Sequence, residues 1–264
     1  MISTYLKAVS IIAPGLPNWA EACQVFTHQQ PYKSQKVAKK LTTLLPPNEN
    51  RRSSRTTQIA LSAVQQLFNE HPFDSQKVRY VFTSCNGDLT IFHQIATALT
   101  MPGRPVSPTK FHNSVHNAPA GYCAIALKAE SPSTSITAYE DSFANGLLEA
   151  AVQSVSAQQD CLFCGYDEVP PEPMFSIVSI EDDFAYSLLL SPEADNAICR
   201  LDLTPTSKQV LTTMENPDFE QLRNSNPQAK ILPLLYSLAQ KQTETLYFAN
   251  NQEQIAVHLS EFAS

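Results

Sequence analysis

The residues with the clearest chemical potential lie at Glu140, Asp141 and Ser142, where a predicted strand gives way to a predicted helix. Ser135 to Tyr139 alternates as a strand does, and Ser142 to Ala157 has the apolar period of a helix. Free N–H groups and the helix dipole stabilise negative charge at such a junction. A carboxylate there can cap the helix, join a polar network or act in acid–base chemistry, but it cannot act as a thiol nucleophile.

Two further positions invite a catalytic interpretation. Cys85 follows a predicted strand and precedes the turn Asn86-Gly87-Asp88, but no histidine is near it in sequence, and cysteine is commonly a buried small hydrophobe. His116 and Asn117 could form a His/Asn pair. A loop rich in these residues often satisfies its own backbone groups instead.

Composition limits the function classes. The net charge of −7 disfavours nucleic acid or an anionic membrane as the main partner. Six cysteines are dispersed in apolar surroundings and are predicted to be reduced, and the isolated pair Cys161 and Cys164 does not make a zinc ribbon. We therefore predict no metal and no cofactor. No run approaches the ~20 apolar residues of a membrane span, and the N-terminus lacks a signal-peptide core, which predicts a cytoplasmic protein.

One segment departs from the acidic average. Between residues 33 and 55, Glu49 is the single acid among the basic residues Lys33, Lys36, Lys39, Lys40, Arg51, Arg52 and Arg55. Scattered charge of this kind is often only solvated surface. The alternative is a local cationic patch that steers an acidic partner.

The elements that must position these residues alternate between strand and helix. Strands are predicted at 5–12, 78–83 and 161–164, and helices from Trp19, over 59–68 with Thr56 or Thr57 as N-cap, over 89–99 and over 122–127. Residues 31–50 and 102–119 read as a surface excursion and a long loop. This alternation predicts an α/β fold with a largely parallel sheet.

The pattern changes after Pro170. Residues 175–180 and 184–190 are predicted as paired antiparallel strands. A strand at 198–203, a helix at 231–239 and a hairpin of 245–249 with 255–259 are predicted to follow.

Several segments, in order, resemble β-ketoacyl synthases. The stretch from Phe111 to Glu168 is similar to the segment in which those enzymes carry their acylated cysteine, and Glu140 stands at the cysteine position. Cys164-Gly165-Tyr166-Asp167-Glu168 resembles their Ala-Gly-Gly-x-Glu strand end. Segments 52–67, 78–88 and 107–121 also resemble the family. The resemblance implies a thiolase-like (ketosynthase) α/β fold, with an N-terminal half at 1–195 and a reduced C-terminal segment at 196–264 that completes or caps the sheet.

The departures from that family predict a protein that no longer condenses. The active cysteine is absent, and none of the histidines falls in the glycine-rich contexts expected of the two catalytic ones; these histidines are His28, His71, His93, His112, His116 and His258. The resemblance implies a chain length factor subunit that pairs with a full-length, active β-ketoacyl synthase as a heterodimer or heterotetramer. Such subunits shape the acyl tunnel in aryl polyene, polyketide or fatty-acid biosynthesis.

The resemblance also assigns interface residues. Asn86, Leu89, Phe92 and His93 would face the acyl chain, and Lys110, Phe111, Val115, His116 and Asn117 would reach toward the partner's pocket. Phe92 and Phe111 fit an ordinary core equally well. The basic residues Lys36, Lys39, Lys40, Arg51, Arg52 and Arg55 would attract an acyl carrier protein transiently, because carrier proteins are acidic.

Two other functions stay open from the sequence. The first is a stand-alone acyl-thioester decarboxylase or thioesterase that uses Glu140 or Cys85. The second is a homodimeric acyl-binding module without a ketosynthase partner.

Overall fold

A mixed eight-stranded sheet forms the centre of the molecule in the computed structural model, which describes residues 1–38, 42–178 and 180–263. Its strands are β1 (Ile2–Ile12), β2 (Val78–Thr83), β3 (Ser133–Ile136), β4 (Asp160–Asp167), β5 (Phe184–Ser191), β6 (Cys199–Thr206), β7 (Glu244–Asn250) and β8 (Glu253–Ser260). Their spatial order is β3-β2-β4-β5-β1-β6-β8-β7, so β3 and β7 are the two edges.

The sheet is less parallel than the sequence predicts. Only the pairs β2–β3 and β2–β4 are parallel, and the other five pairings are antiparallel. The reason is β5, which returns beside β4 after a connection without a crossover helix and enters between β4 and β1. Parallel neighbours need such a crossover, and antiparallel ones do not.

The predicted strand at 175–180 is wrong. Met174–Ser176 forms a 3₁₀ turn, and the partners of β5 are β1 and β4 rather than this segment. The N–H groups of residues 175–178 donate to the carbonyls of Pro171, Pro173 and Met174, so they close local turns and are not available for a strand ladder.

Two helical layers cover the sheet. The helices are α1 (Trp19–Phe26), α2 (Pro47–Arg52), α3 (Arg55–Glu70), α4 (Leu89–Thr100), α5 (Pro108–Asn113), α6 (Ala118–Leu127), α7 (Ser142–Ala157), α8 (Pro217–Ser225) and α9 (Leu232–Gln240). Apolar residues of α1, α7 and α9 build the core on one face, and those of α3 and α6 build it on the other. In α3 this face is the predicted period of Ile59, Ala60, Ala63, Val64 and Leu67, all buried.

Helix starts differ from the predictions in an instructive way. The N-cap of α3 is Ser54, whose hydroxyl accepts the Thr57 N–H, and not Thr56 or Thr57. Both threonines are buried inside the first turn. The excursion and the loop each contain a short helix that begins with proline, α2 and α5, because proline is well suited to the first turn.

The strand directions gather the candidate residues. The pairings make β1, β2, β3 and β4 run the same way, so their carboxyl ends share one edge of the sheet. Residues 199–260 add β6, β8 and β7 on the far side of β1. Across the described ranges, none of the helices is long and apolar enough to cross a membrane.

Candidate functional site

The strand-to-helix junction is a tight 3₁₀ turn at Tyr139–Asp141, between β3 and α7. Tyr139 has φ of 53°, a left-handed conformation that costs a bulky residue roughly 1–3 kcal/mol. Ser142 holds the turn, because its hydroxyl accepts the Ala138 N–H at 3.0 Å and donates to the Tyr139 carbonyl at 2.7 Å. The surrounding fold therefore imposes this turn against a local preference.

Glu140 is exposed at the tip of this turn. Within the described residues its carboxylate makes no hydrogen bond or ion pair, so it does not cap α7. The N-cap residue is Asp141, and its side chain accepts the Asn251 N–H at 2.8 Å instead of an α7 amide. The turn thus directs the Glu140 carboxylate outward, and the C-terminal hairpin anchors the neighbouring acid.

Lys230 is a residue near this turn that sequence reasoning missed. It lies in a 3₁₀ turn, Pro227–Ile231, which packs against the Tyr139–Asp141 turn. Burial and the charge of Arg223 lower the pKa of Lys230, and the nearby Glu140 carboxylate opposes that shift. No local pattern marks this lysine, because only the tertiary fold brings residue 230 to residue 140.

Cys85 has the environment of an inert thiol. It is buried, and the Asn86 side-chain amide donates to its sulfur at 2.9 Å. Burial, followed by the negative charges of Asp167 and Glu140, raises the pKa of the Cys85 thiol far above its ordinary value. Reactive cysteines sit in the opposite setting, partly exposed and electropositive.

Asp167 organises the turn that follows β2. Its carboxylate accepts the Ser84 hydroxyl at 2.6 Å and the Cys85 N–H at 3.0 Å. Burial raises the pKa of Asp167 to about 7, and these hydrogen bonds oppose the shift. The strand end Cys164–Glu168 therefore fixes the backbone around Asn86 and Asp88.

The helices α4 and α5 present an apolar surface to solvent. Ile91 is the one buried residue of α4, although the helix is rich in apolar side chains. Phe92 is 56% exposed and Phe111 is 67% exposed, so neither is a core residue of this chain. We define the α4–α5 face by its exposed apolar members, Phe92, Leu99, Met101, Phe111 and Val115.

The other predicted interface residues lie at the same end of the sheet. Asn86, Leu89, His93, Lys110 and His116 are half-buried, and Asn117 is exposed. The His116 imidazole Nε2 lies 3.4 Å from the Ser84 carbonyl oxygen, which ties the loop between α5 and α6 to the turn after β2.

The predicted basic patch borders a cavity of about 650 Å³, which is lined by residues 30–38 and 42–43 together with α1 and α3. Lys33, Lys36 and Arg55 line it, and Arg55 also pairs with Asp183. Gly15 permits the close approach of the excursion, because a Cβ there would lie 2.2 Å from the Lys33 carbonyl oxygen.

The remaining members of the patch are less well placed to line this cavity. Arg51 and Arg52 are exposed on α2. Lys39 and Lys40 lie outside the described residues.

Comparison with known proteins gives a family match. The family model described as "Beta-ketoacyl synthase, N-terminal domain" matches residues 19–254. No curated protein matches the sequence.

Solved structures share the fold. A chain of the ketosynthase ApeO in complex with its chain length factor ApeC, from Xenorhabdus doucetiae, aligns with a TM-score of 0.74 and 24% identity over 98% of this chain and 100% of that one. The type II acyl-carrier protein–ketosynthase complex AntDE:AntF gives 0.77 and 10% over 99% of both chains. The ishigamide ketosynthase/chain length factor gives 0.73 and 12% over 100% of both. The fold is therefore the thiolase-like ketosynthase fold.

Proposed function

The chain belongs to the β-ketoacyl synthase N-terminal domain family, and on that premise we propose that it is a non-catalytic subunit of the chain length factor type. It pairs with an active β-ketoacyl synthase and helps to shape that enzyme's acyl tunnel. The setting is aryl polyene, polyketide or fatty-acid biosynthesis, as the resemblance implies, and the likeness to the type II PKS complex AntDE:AntF supports the polyketide case.

The main support for this proposal is the position of Glu140. It stands at the strand-to-helix turn where the resemblance places the acylated cysteine, and a carboxylate does not form the thioester that condensation requires. Cys85 is no substitute, because its thiol is buried and its pKa is raised. Bond formation then depends on a partner that supplies the cysteine.

The α4–α5 face supports a partner on this side. An exposed cluster of large apolar side chains marks an interaction surface more often than it marks free surface. Among the described strands, β3 is an edge strand that pairs only with β2, which leaves its outer N–H and C=O groups open. We infer that this edge and the α4–α5 face together contact the ketosynthase.

The tunnel assignment follows from the same geometry. Phe92 and Phe111 are bulky, apolar and exposed, which suits a wall that the growing acyl chain meets. Steric exclusion by a side chain of this size costs about 1–3 kcal/mol when a cavity is overfilled, enough to favour one product length.

The basic residues suit a carrier protein. Lys36 and Arg55 line the 650 Å³ cavity, and Arg51 and Arg52 are exposed on α2. We propose that this patch attracts the acidic acyl carrier protein transiently, by electrostatic steering rather than by tight binding.

We retain the division of the chain into a ketosynthase-like N-terminal half, 1–195, and a reduced C-terminal segment, 196–264. The second segment contributes three strands to the sheet and the Asn251 contact to Asp141. In this proposal it completes the sheet and anchors one side of the turn, while Glu140 stays exposed.

Co-expression with a full-length β-ketoacyl synthase from the same genome tests the proposal. We expect a stable 1:1 complex by size-exclusion chromatography with light scattering, and condensing activity only in the complex. Persistent homodimers, with no complex, would favour the acyl-binding module. Turnover of a malonyl or acyl thioester by the chain alone, abolished in Glu140→Gln, would favour a stand-alone enzyme.

A further inference from the structure

Four buried side-chain oxygens at the carboxyl edge of the sheet have no hydrogen-bond partner within the described residues. They are Thr56 Oγ1, Asp88 Oδ2, Tyr166 OH and Glu168 Oε1. The residues Thr56, Tyr166 and Glu168 are 1%, 0% and 6% exposed, so bulk water does not reach them. Buried polar atoms are nearly always paired, and each exception needs an explanation.

Three of the four residues line one small void. Thr56, Asp88 and Tyr166 border a cavity whose volume open to the centre of a water-sized sphere is about 10 Å³. Glu168 lies close to Asp88 and Thr56: burial, and next the charge of Asp88, raise the pKa of Glu168 to about 7, and the Thr90 and Thr56 hydroxyls, which make no direct hydrogen bond to the unpartnered Oε1, oppose that shift. The space is enough for one water-sized occupant.

The chemistry of the lining selects the kind of occupant. Two carboxylates and two hydroxyls offer oxygen ligands, and no lysine or arginine of the described ranges pairs with Asp88 or Glu168. His116 also lines the void, but its Nε2 is directed at the Ser84 carbonyl oxygen. Hard cations prefer such all-oxygen surroundings.

A divalent metal fits less well than a monovalent one. No group of three histidine, cysteine, aspartate or glutamate side chains in the described residues is placed to hold a metal ion. Mg²⁺ demands a near-ideal octahedron and Ca²⁺ is usually held by several carboxylates, whereas Asp88 and Glu168 are the two acids among these four residues. A singly charged ion is satisfied by fewer carboxylates.

We propose that Thr56, Asp88, Tyr166 and Glu168 bind an alkali-metal cation, potassium or sodium, in this void. The cation would join three elements: the first turn of α3 at Thr56, the N-cap of α4 at Asp88, and the end of β4 at Tyr166 and Glu168. The cation does not compete with helix capping. Asp88 Oδ1 accepts the Ile91 N–H at 2.7 Å, and Oδ2 is left to bind the ion.

The site also has a consequence for the partner. Since Asp88 begins α4, a cation at its Oδ2 fixes the helix that carries Phe92 and Leu99. This last step rests on the proposed function, in which the α4–α5 face contacts a ketosynthase. The cation site itself does not.

Thermal unfolding of the full chain alone tests the site. The unfolding midpoint is measured in potassium chloride, sodium chloride and choline chloride at equal ionic strength and at a pH above 8. We expect one or both alkali salts to raise the midpoint in a saturable way relative to choline, because a ligand that binds only the folded state stabilises it. A midpoint equal in all three salts overturns the proposal and assigns the void to a water or a shared proton.

Matched variants locate the effect. Asp88→Asn keeps a good N-cap and removes the charge, Glu168→Gln keeps the shape, and Thr56→Val replaces the hydroxyl isosterically. Each is expected to weaken the apparent affinity for the alkali cation roughly tenfold or more. Asp74→Asn, an exposed carboxylate paired with Lys77, is the control and leaves the affinity unchanged.

The salt response tests the cation site, and complex formation tests the proposed function, so the two can fail independently. An unchanged salt response in all three site variants contradicts the assignment, even if the wild-type chain responds to potassium. Loss of complex formation with a ketosynthase, beside an intact salt response, would instead speak against the proposed function.

Discussion

The helices α4 and α7 both begin at the carboxyl edge of the sheet, and they use their apolar residues in opposite ways. In α7 eight residues are buried, among them Phe143, Leu147 and Ala151, which pack on the sheet. In α4 only Ile91 is buried, and Phe92 and Leu99 face solvent. One helix completes the core of this chain, whereas the other carries large apolar side chains that this chain leaves exposed.

The largest expected difference is in stability. Leu147→Ala removes a fully buried side chain from α7 and is expected to lower the free energy of unfolding by about 2–5 kcal/mol. Leu99→Ala, on α4, is expected to change it by less than ~0.5 kcal/mol. Chemical denaturation of the isolated chain measures both. Comparable losses would mean that α4 is packed within the chain.

For binding to a ketosynthase, the exposed residues of α4 and α5 are expected to matter most. Phe92→Ala and Phe111→Ala are each expected to raise the Kd for the ketosynthase at least roughly tenfold, because large side chains at the centre of an interface carry much of its energy. Isothermal titration calorimetry gives the affinity, and the unfolding midpoint of the isolated variants stays unchanged. Val210→Ala is the control, since Val210 is 89% exposed in the segment beside β7, the opposite edge of the sheet.

A smaller effect is expected at the basic residues. The double variant Lys36→Glu and Arg52→Glu is predicted to slow association of the acyl carrier protein with the complex several-fold at low salt. The difference should shrink at high salt, where the Debye length is only about 3 Å at 1 M. Stopped-flow fluorescence measures the rate. The exposed Lys208→Glu reverses one charge outside the patch and is the control, and a slowing of the same size per reversed charge there would contradict a role for the patch.

The smallest effect is expected at the buried thiol. Cys85→Ser is predicted to leave the activity of the ketosynthase complex within about twofold, because a thiol whose pKa is raised by burial is neither a nucleophile nor a base at neutral pH. Steady-state turnover of the complex measures this. A variant that folds with the same unfolding midpoint but loses activity would restore Cys85 as a catalytic candidate.

Much of the fold could be predicted from local pattern. The amphipathic period of α3 and the alternation in β7 and β8 are strong enough to define those elements without tertiary information. The same reasoning was wrong about 175–180, because the N–H groups of 175–178 close local turns. It was also wrong about the parallel sheet, because strand direction depends on the path of the connection. Local pattern does not encode that path.

The candidate site was less accessible from the sequence. The acid at Glu140 is evident from the sequence, but its exposure depends on the left-handed turn at Tyr139, which no propensity favours. Lys230 and Asn251 reach the turn only through the fold of the C-terminal segment. The sequence of α4 also does not predict which of its faces is exposed to solvent, because burial depends on the elements that pack against the helix.

Whether this chain ever carries the acyl group is measured most directly by the intact mass of both chains, after incubation of the complex with an acyl carrier protein that bears an acyl thioester. We expect an acyl adduct on the ketosynthase and none on this chain, whose turn carries Glu140 and whose Cys85 is buried. A covalent acyl adduct on this chain would contradict the proposed non-catalytic role.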